Sequence, residues 1–187
     1  MKLRIPLFLA LCALLSLAAC DKEDSKKDTP WKLDNEAQFV KISADKNYTR
    51  LVSFSNRGHI MYKELAKGSG ETPLFTDQVK VRYAGWYKYN WEKPDTYNDD
   101  KGNVITNKII FDSTEKRNNV PSTFDVNPNA TYGVVDGFST ALQHMQVGDK
   151  WEVWIPWELG YGEVGSGSSI PAYTTLVFEI ELIEIVE

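Results

Sequence analysis

Two stretches of this chain alternate apolar and polar residues with a period of two, and that pattern constrains the fold more than any other feature. Between Gln78 and Tyr87, Val79, Val81, Tyr83 and Gly85 fall on one face and Lys80 and Arg82 on the other. Between Leu176 and Val186, Leu176, Phe178, Ile180 and Leu182 share a face. Successive side chains of an extended strand point to opposite sides, so each stretch predicts a strand with one side against a core. His59 to Leu65, with Ile60 and Tyr62 aligned, and Trp151 to Ile155, with Trp151, Val153 and Ile155 aligned, predict two more strands. Ile109 to Phe111 is a shorter apolar return. One helix competes with them. Asp136-Gly137 opens it, Phe138, Ala141, Leu142 and Met145 fall at i, i+3, i+4 and i+7, and Gly148 stops it. Runs of strand with one short amphipathic helix predict an α+β domain: a curved antiparallel β-sheet wrapped around one short α-helix.

The start of the chain reads as an address. Lys2 and Arg4 give a positive n-region, and Ile5 to Leu17 is an apolar run of signal-peptide length. It ends in Leu17-Ala18-Ala19-Cys20, which resembles the bacterial lipobox; the resemblance implies cleavage before Cys20 and acylation of its thiol. Two or more acyl chains, at ~0.8 kcal/mol per buried methylene, give durable anchoring. Residues 1–19 are therefore expected to be a lipoprotein signal peptide, and the mature protein to sit in the cell envelope, anchored to a membrane, at the outer membrane on its periplasmic or surface side. An ordinary secretory signal with a chance cysteine is the alternative.

Charge and cysteine count exclude several functions. The formal net charge is −5; losing Lys2 and Arg4 with residues 1–19 takes it to −7. An acidic chain without a basic cluster has no electrostatic hold on nucleic acid. Cys12 lies in the segment to be removed, so Cys20 is the mature chain's one cysteine. No disulfide is expected, and with His59 and His144 the only histidines no metal site is expected either. Residues 20–33, charged and aperiodic through Pro30, read as a flexible tether. Residues 34–57 read as a short helical extension, capped by Asp34 and running to about Ala44 with Ala37, Phe39, Val40 and Ile42 apolar. No long dimerisation helix fits there, so a monomer is expected. Residues 58–187 form the main domain.

The usual catalytic signals are absent from the sequence: there is no G-x-S-x-G elbow, no P-loop, no G-x-G-x-x-G opening a helix and no H-E-x-x-H. What stands out is a set of aromatics on separate elements beside a Gly/Ser-rich loop from Leu159 to Pro171. The stretches Val79-Lys80-Val81-Arg82-Tyr83-Ala84-Gly85, Phe111-Asp112-Ser113-Thr114 and Val134-Val135-Asp136-Gly137-Phe138 stand in that order. Met145-Gln146-Val147-Gly148-Asp149, Gly160-Tyr161-Gly162, Ile170-Pro171 and Thr175 to Leu182 follow. In content and order they resemble the FK506-binding protein type of peptidyl-prolyl cis–trans isomerase, over residues 58–187.

That resemblance implies an isomerase of X–Pro bonds in exported polypeptides that needs no cofactor, with FK506-type macrolides as candidate inhibitors whose fit the sequence leaves open. It implies that Tyr83, Phe111, Phe138 and Phe178 line a pocket for the proline ring. The backbone N–H of Val135, which follows Val134 at the pocket wall, would hold a substrate carbonyl. The Tyr161 hydroxyl would hold another, Ile170 would press on the ring, and Asp112 would be the polar group at the edge, oriented by Arg117. Taken singly, each aromatic reads equally as plain core. The chemistry is consistent with such residues. Resonance gives a peptide bond a rotational barrier of ~18–20 kcal/mol. The enzyme must bind the twisted amide better than the planar one, which requires neither nucleophile nor proton transfer.

The sequence departs from the family at three places. Ser122 stands where many members carry an aromatic, Phe138 where many carry tryptophan, and Ser166 where some carry histidine. Between Gly85 and Phe111 lies an insertion, at about 86–108, holding Trp86, Tyr87, Tyr89, Trp91 and Tyr97. It predicts an extra hairpin that either contacts client chains or packs on the domain's side. Two other functions stay open on sequence grounds: a non-catalytic binding module of this fold, and a surface lipoprotein that binds glycans through exposed aromatics of the insertion.

Overall fold

The protein is described here by a computed structural model covering residues 29–186. The signal peptide, Cys20 and the tether up to residue 28 lie outside the described residues. The elements in chain order are α1 (Pro30–Ser43), β1 (Thr49–Val52), β2 (His59–Ala66), β3 (Gln78–Lys88), β4 (Thr96–Asn98), β5 (Val104–Thr106) and β6 (Lys108–Ser113). They continue with β7 (Ser122–Asp125), α2 (Asp136–Leu142), β8 (Lys150–Ile155) and β9 (Leu176–Val186). Seven strands form one antiparallel sheet in the order β1-β2-β8-β9-β3-β6, with β7 also paired to β3. The expected fold class holds. Among the described residues no helix is long and apolar enough to cross a membrane.

β3, eleven residues long like β9, organises the sheet. On one side it pairs with β9 along its length, from Gln78↔Val186 to Trp86↔Val177. On the other side it has two partners in succession: β7 against Gln78 to Val81, and β6 against Ala84 to Lys88. Tyr83 sits at the changeover. Its backbone is satisfied by Thr114, whose N–H donates to the Tyr83 carbonyl at 2.9 Å and whose hydroxyl lies 3.2 Å from the Tyr83 N–H. The outer edge of β3 thus splits without leaving a buried polar group unpaired.

The main core lies on one face. Val79, Val81 and Tyr83 of β3, Trp151, Val153 and Ile155 of β8, and Leu176, Phe178, Ile180 and Leu182 of β9 are buried there against Phe138, Ala141 and Leu142 of α2. These are the faces that the alternation predicts. Gly137 lets α2 approach β8, since a Cβ at this position would lie 2.4 Å from Ile155 Cγ2. The helix is shorter than expected: it ends at Leu142, and Met145, buried in the same core, lies past its end.

The opposite face is the larger correction. It carries a second core of Phe39, Ile42, Met61, Trp154 and Val177, with Tyr48, Trp86 and Trp91 packed on it. The cover is α1, so the sheet lies between two helices, not around one. The helix also begins earlier than expected: Thr29, not Asp34, is its N-cap, its hydroxyl accepting from the Lys32 N–H at 3.2 Å, and Pro30 occupies the first turn. Residues 30–33 are therefore helix and not tether. Residues 49–52 form β1, paired with β2, so the sheet begins before residue 58. Ala37 and Val40 face solvent, and the buried stripe of α1 includes Asn35 with Phe39 and Ile42.

Asn35 is fully buried and fastens three segments. Its Oδ1 accepts from the Thr175 N–H at 2.9 Å and from Trp91 Nε1 at 3.3 Å, and its own carbonyl accepts from the Thr175 hydroxyl at 3.0 Å. Asn35→Ala would leave the buried Thr175 N–H and the half-buried Trp91 Nε1 without this acceptor. It should therefore destabilise the protein by about 1–3 kcal/mol in urea unfolding. Val40→Ala, on the exposed side of the same helix, should change stability by less than about 0.5 kcal/mol.

Candidate active site

The split edge of β3 leaves an opening over the main core. A cavity of about 220 Å³ lies there, lined by Tyr83, Phe111, Asp112, Phe124, Gly133, Val134, Val135, Phe138, Tyr161 and Phe178. Its rings brace one another edge to face: Phe138 and Phe178 have centroids 5.1 Å apart at 88°, and Phe111 and Phe178 5.5 Å apart at 82°. Tyr83 meets Phe138 at 6.0 Å and 85°. Such contacts pair a ring's positive edge with a neighbour's negative face, which fixes ring orientation. Gly85 makes room for the arrangement, because a Cβ there would lie 2.5 Å from the Phe178 ring and 2.6 Å from the Phe111 ring.

Polar groups are confined to the edge. The Tyr83 hydroxyl donates to Asp112 Oδ2, and Arg117 donates to Asp112 Oδ1 at 2.7 Å. Arg117 also reaches the Tyr83 hydroxyl at 3.2 Å and the Ser122 hydroxyl at 3.3 Å. Partial burial pushes the Asp112 carboxyl up, but the hydrogen bonds from Tyr83 and Arg117 outweigh it and hold the group below the usual carboxylate range. Burial, reinforced by the bond to Asp112, pushes the Tyr83 phenol up to about 12. Burial, with the charge of Asp112 adding to it, raises Tyr161. The edge thus holds an ionised carboxylate paired with an arginine, and two neutral phenols.

Two donors at the cavity are unspent. Among the described residues the Val135 N–H, just before α2, and the Tyr161 hydroxyl have no protein acceptor. The loop bearing Tyr161 is pinned from behind. Tyr87 donates to the Ser169 carbonyl at 3.2 Å, Trp31 of α1 donates to the Ala172 carbonyl at 2.9 Å, and the Ser166 N–H donates to the Ile170 carbonyl at 2.8 Å.

Most of the residues singled out from the sequence come together here. Tyr83, Phe111, Asp112, Val134, Val135, Phe138, Tyr161 and Phe178 line one cavity. Ile170 is not in the lining: it is buried in the main core at the end of the loop. Arg117 stands behind Asp112 and not in the lining. Sequence reasoning missed two lining residues, Gly133 and Phe124, and Phe124 is the one that brings a ring. It lies on β7, two positions beyond Ser122, and packs on Tyr83 at 5.6 Å and Phe138 at 6.2 Å. Its signal was the brief alternation of Ser122 to Asp125. Ser122 itself, in place of an aromatic, accepts from Arg117.

The insertion does form a hairpin, β4 paired with β5. Its neck is tied by Asn107, whose side-chain amide donates to the carbonyls of Asn90, Lys93 and Pro94. Trp91 packs on Trp154 at 5.3 Å and on Trp86 at 6.2 Å, and Lys108 sits 4.3 Å over the Trp86 ring. Both tryptophans pack against the second core while staying partly exposed.

Residues 70–183 match the family described as FKBP-type peptidyl-prolyl cis-trans isomerase. The chain is 38% identical over 131 residues to an FKBP-type 22 kDa peptidyl-prolyl cis-trans isomerase of Escherichia coli, covering 70% of this chain and 52% of that protein. It is 32% identical over 144 residues to the outer membrane protein MIP of Legionella longbeachae, covering 77% of this chain and 51% of that one. The chain thus spans about half the length of these relatives. The crystal structure of a peptidyl-prolyl cis-trans isomerase from Pseudomonas syringae superposes with a TM-score of 0.57 at 28% identity, covering 86% of this chain and 98% of that one. On the family match over most of its length and the relatives at 30% identity or more, the chain belongs to the FKBP-type peptidyl-prolyl cis-trans isomerase family.

Proposed function

We propose that the protein accelerates cis–trans rotation about X–Pro bonds in exported polypeptides, using the aromatic cavity under the Tyr161 loop. One observation carries this reading: an apolar cavity of about 220 Å³ whose edge offers two unspent donors, the Val135 N–H and the Tyr161 hydroxyl. The Tyr83, Phe111, Phe124, Phe138 and Phe178 rings enclose the proline. A planar amide is more dipolar than a twisted one, so moving it from water to an apolar wall favours the twisted form. The Val135 N–H and the Tyr161 hydroxyl hold substrate carbonyls on either side of the rotating bond, and they are already oriented when substrate arrives. Asp112 and Arg117 fix the Tyr83 ring, and Ile170 sets the height of the loop. No cofactor enters the reaction. A macrolide of the FK506 type would compete for the same cavity.

In this reading the protein works as a monomer in the cell envelope, held to a membrane through acylated Cys20. Support comes from the Leu17-Ala18-Ala19-Cys20 junction after an apolar run, and from a relative whose name places it in an outer membrane. X–Pro exchange unaided takes tens of seconds or more, which gives such an enzyme a substrate wherever exported chains fold.

The direct test is isomerase turnover of proline peptides by a soluble form beginning at Asp21. Tyr161→Phe removes one neutral hydrogen bond and should lower kcat/KM roughly 3- to 10-fold with the fold intact by circular dichroism. Asp112→Ala frees both Tyr83 and Arg117 and should cost about 10-fold or more. A protein that turns over no proline peptide would leave the fold as a binding module only.

The pH profile is a second test. Tyr83 and Tyr161 are raised and stay neutral, while Asp112 is lowered and stays ionised. Turnover should therefore be flat from about pH 5 to pH 9, without the bell of an acid–base enzyme. Because its folded pKa is depressed, Asp112 contributes stability above the ordinary carboxylate value of ~3.9, and that contribution is lost as pH falls through the folded value. Asp112→Asn should flatten that acid limb in thermal unfolding.

A further inference from the structure

We infer that a second, wider groove beside the cavity binds the stretch of client polypeptide that flanks the X–Pro bond, through an apolar side chain of that stretch. The inference rests on the assignment of the cavity to the proline ring. The groove holds about 760 Å³ and shares a wall with the cavity: Gly133, Val134 and Val135 line both. A polypeptide whose proline sits on one side of that wall must run onward, and the groove continues the same surface. Its volume is far beyond a single proline and within the ~300–1,000 Å³ range of sites that enclose several groups.

The groove's chemistry selects its occupant. Phe54, from the loop joining β1 to β2, and Phe75, from the segment before β3, line it, 64% and 44% exposed. Large exposed aromatics in a concave site are an unfilled apolar surface. Phe54 is held in place by stacking on His144, with centroids 5.4 Å apart and planes 21° from parallel. The platform therefore costs little side-chain entropy to use. The one carboxylate of the groove, Asp136, is already engaged: Oδ1 accepts from Ser53 at 2.9 Å and Oδ2 from Arg57 at 3.0 Å. It therefore does not select a cation. The Arg57 side chain is 62% exposed and offers further N–H groups to backbone carbonyls. An extended peptide carrying an aromatic or branched aliphatic residue near its proline fits this combination, and a charged small molecule does not.

The test compares two proline substrates. One is a tetrapeptide that fills only the cavity; the other is a longer peptide with a phenylalanine placed at successive positions on either side of the proline. The wild-type protein should prefer the long peptide at its best position by about 5- to 10-fold in kcat/KM, through KM. Phe54→Ala with Phe75→Ala should abolish that preference and leave tetrapeptide turnover within about 2-fold. Leucine at both positions, which keeps an apolar surface, should retain most of it. Unchanged preference in the alanine variant, with tetrapeptide turnover intact, overturns this inference alone. No tetrapeptide turnover by the wild-type protein overturns the cavity assignment and the inference with it. A wild-type dimer in sedimentation that the alanine variant loses would make the groove a contact between copies, and would also overturn it.

Discussion

A single strand, β3, has to serve two faces of the sheet and three neighbouring strands at once, and most of the architecture follows from that demand. Its even alternation sends Val79, Val81 and Tyr83 to one core and Trp86 toward the other. Its outer edge changes partner from β7 to β6. A sheet edge that changes partner leaves a gap, and here Thr114 supplies the missing backbone bonds. The gap becomes the mouth of the cavity: Phe111 and Asp112 come from β6 on one side and Phe124 from β7 on the other. The cavity is thus a by-product of strand pairing, finished by rings and not carved into a loop.

This origin separates what the sequence shows from what it hides. Tyr83, Phe138 and Phe178 could be placed because each belongs to a long regular pattern, and periodicity reports long patterns best. Phe124 escaped because β7 is four residues long and follows Pro121. Ile170 was assigned to the pocket by likeness; it is buried in the same cluster as Tyr83, Phe138 and Phe178 but is not among the residues that line the cavity. The pairing of Asp112 with Arg117 was expected by likeness, but only folding adds the Tyr83 hydroxyl, 29 positions before Asp112, to the same bonded group.

The second face was the larger omission, and its physical cause is clear. Trp151 to Ile155 contains Trp154 on the side opposite Trp151, Val153 and Ile155, and β9 contains Val177 opposite its main row. Strands that are apolar on both faces need cover on both faces. The cover, α1, was poorly visible because one of the three buried residues of its stripe is polar. Asn35 lowers the apparent amphipathicity of the helix while making bonds that an apolar residue could not.

Those bonds also order the events of folding. Asn35 meets Thr175 across 140 positions, and Trp31 meets Ala172 across 141. A chain that emerges amino terminus first therefore makes α1 long before it makes the strand that helix must lie on. Until β9 arrives, Phe39 and Ile42 have no sheet to cover, and an isolated helix of this length is marginal in water. Closing so long a loop is slow compared with local pairing. β9, made well after α1, completes the packing of that helix, so the domain reaches its cooperative state only when this strand is in place.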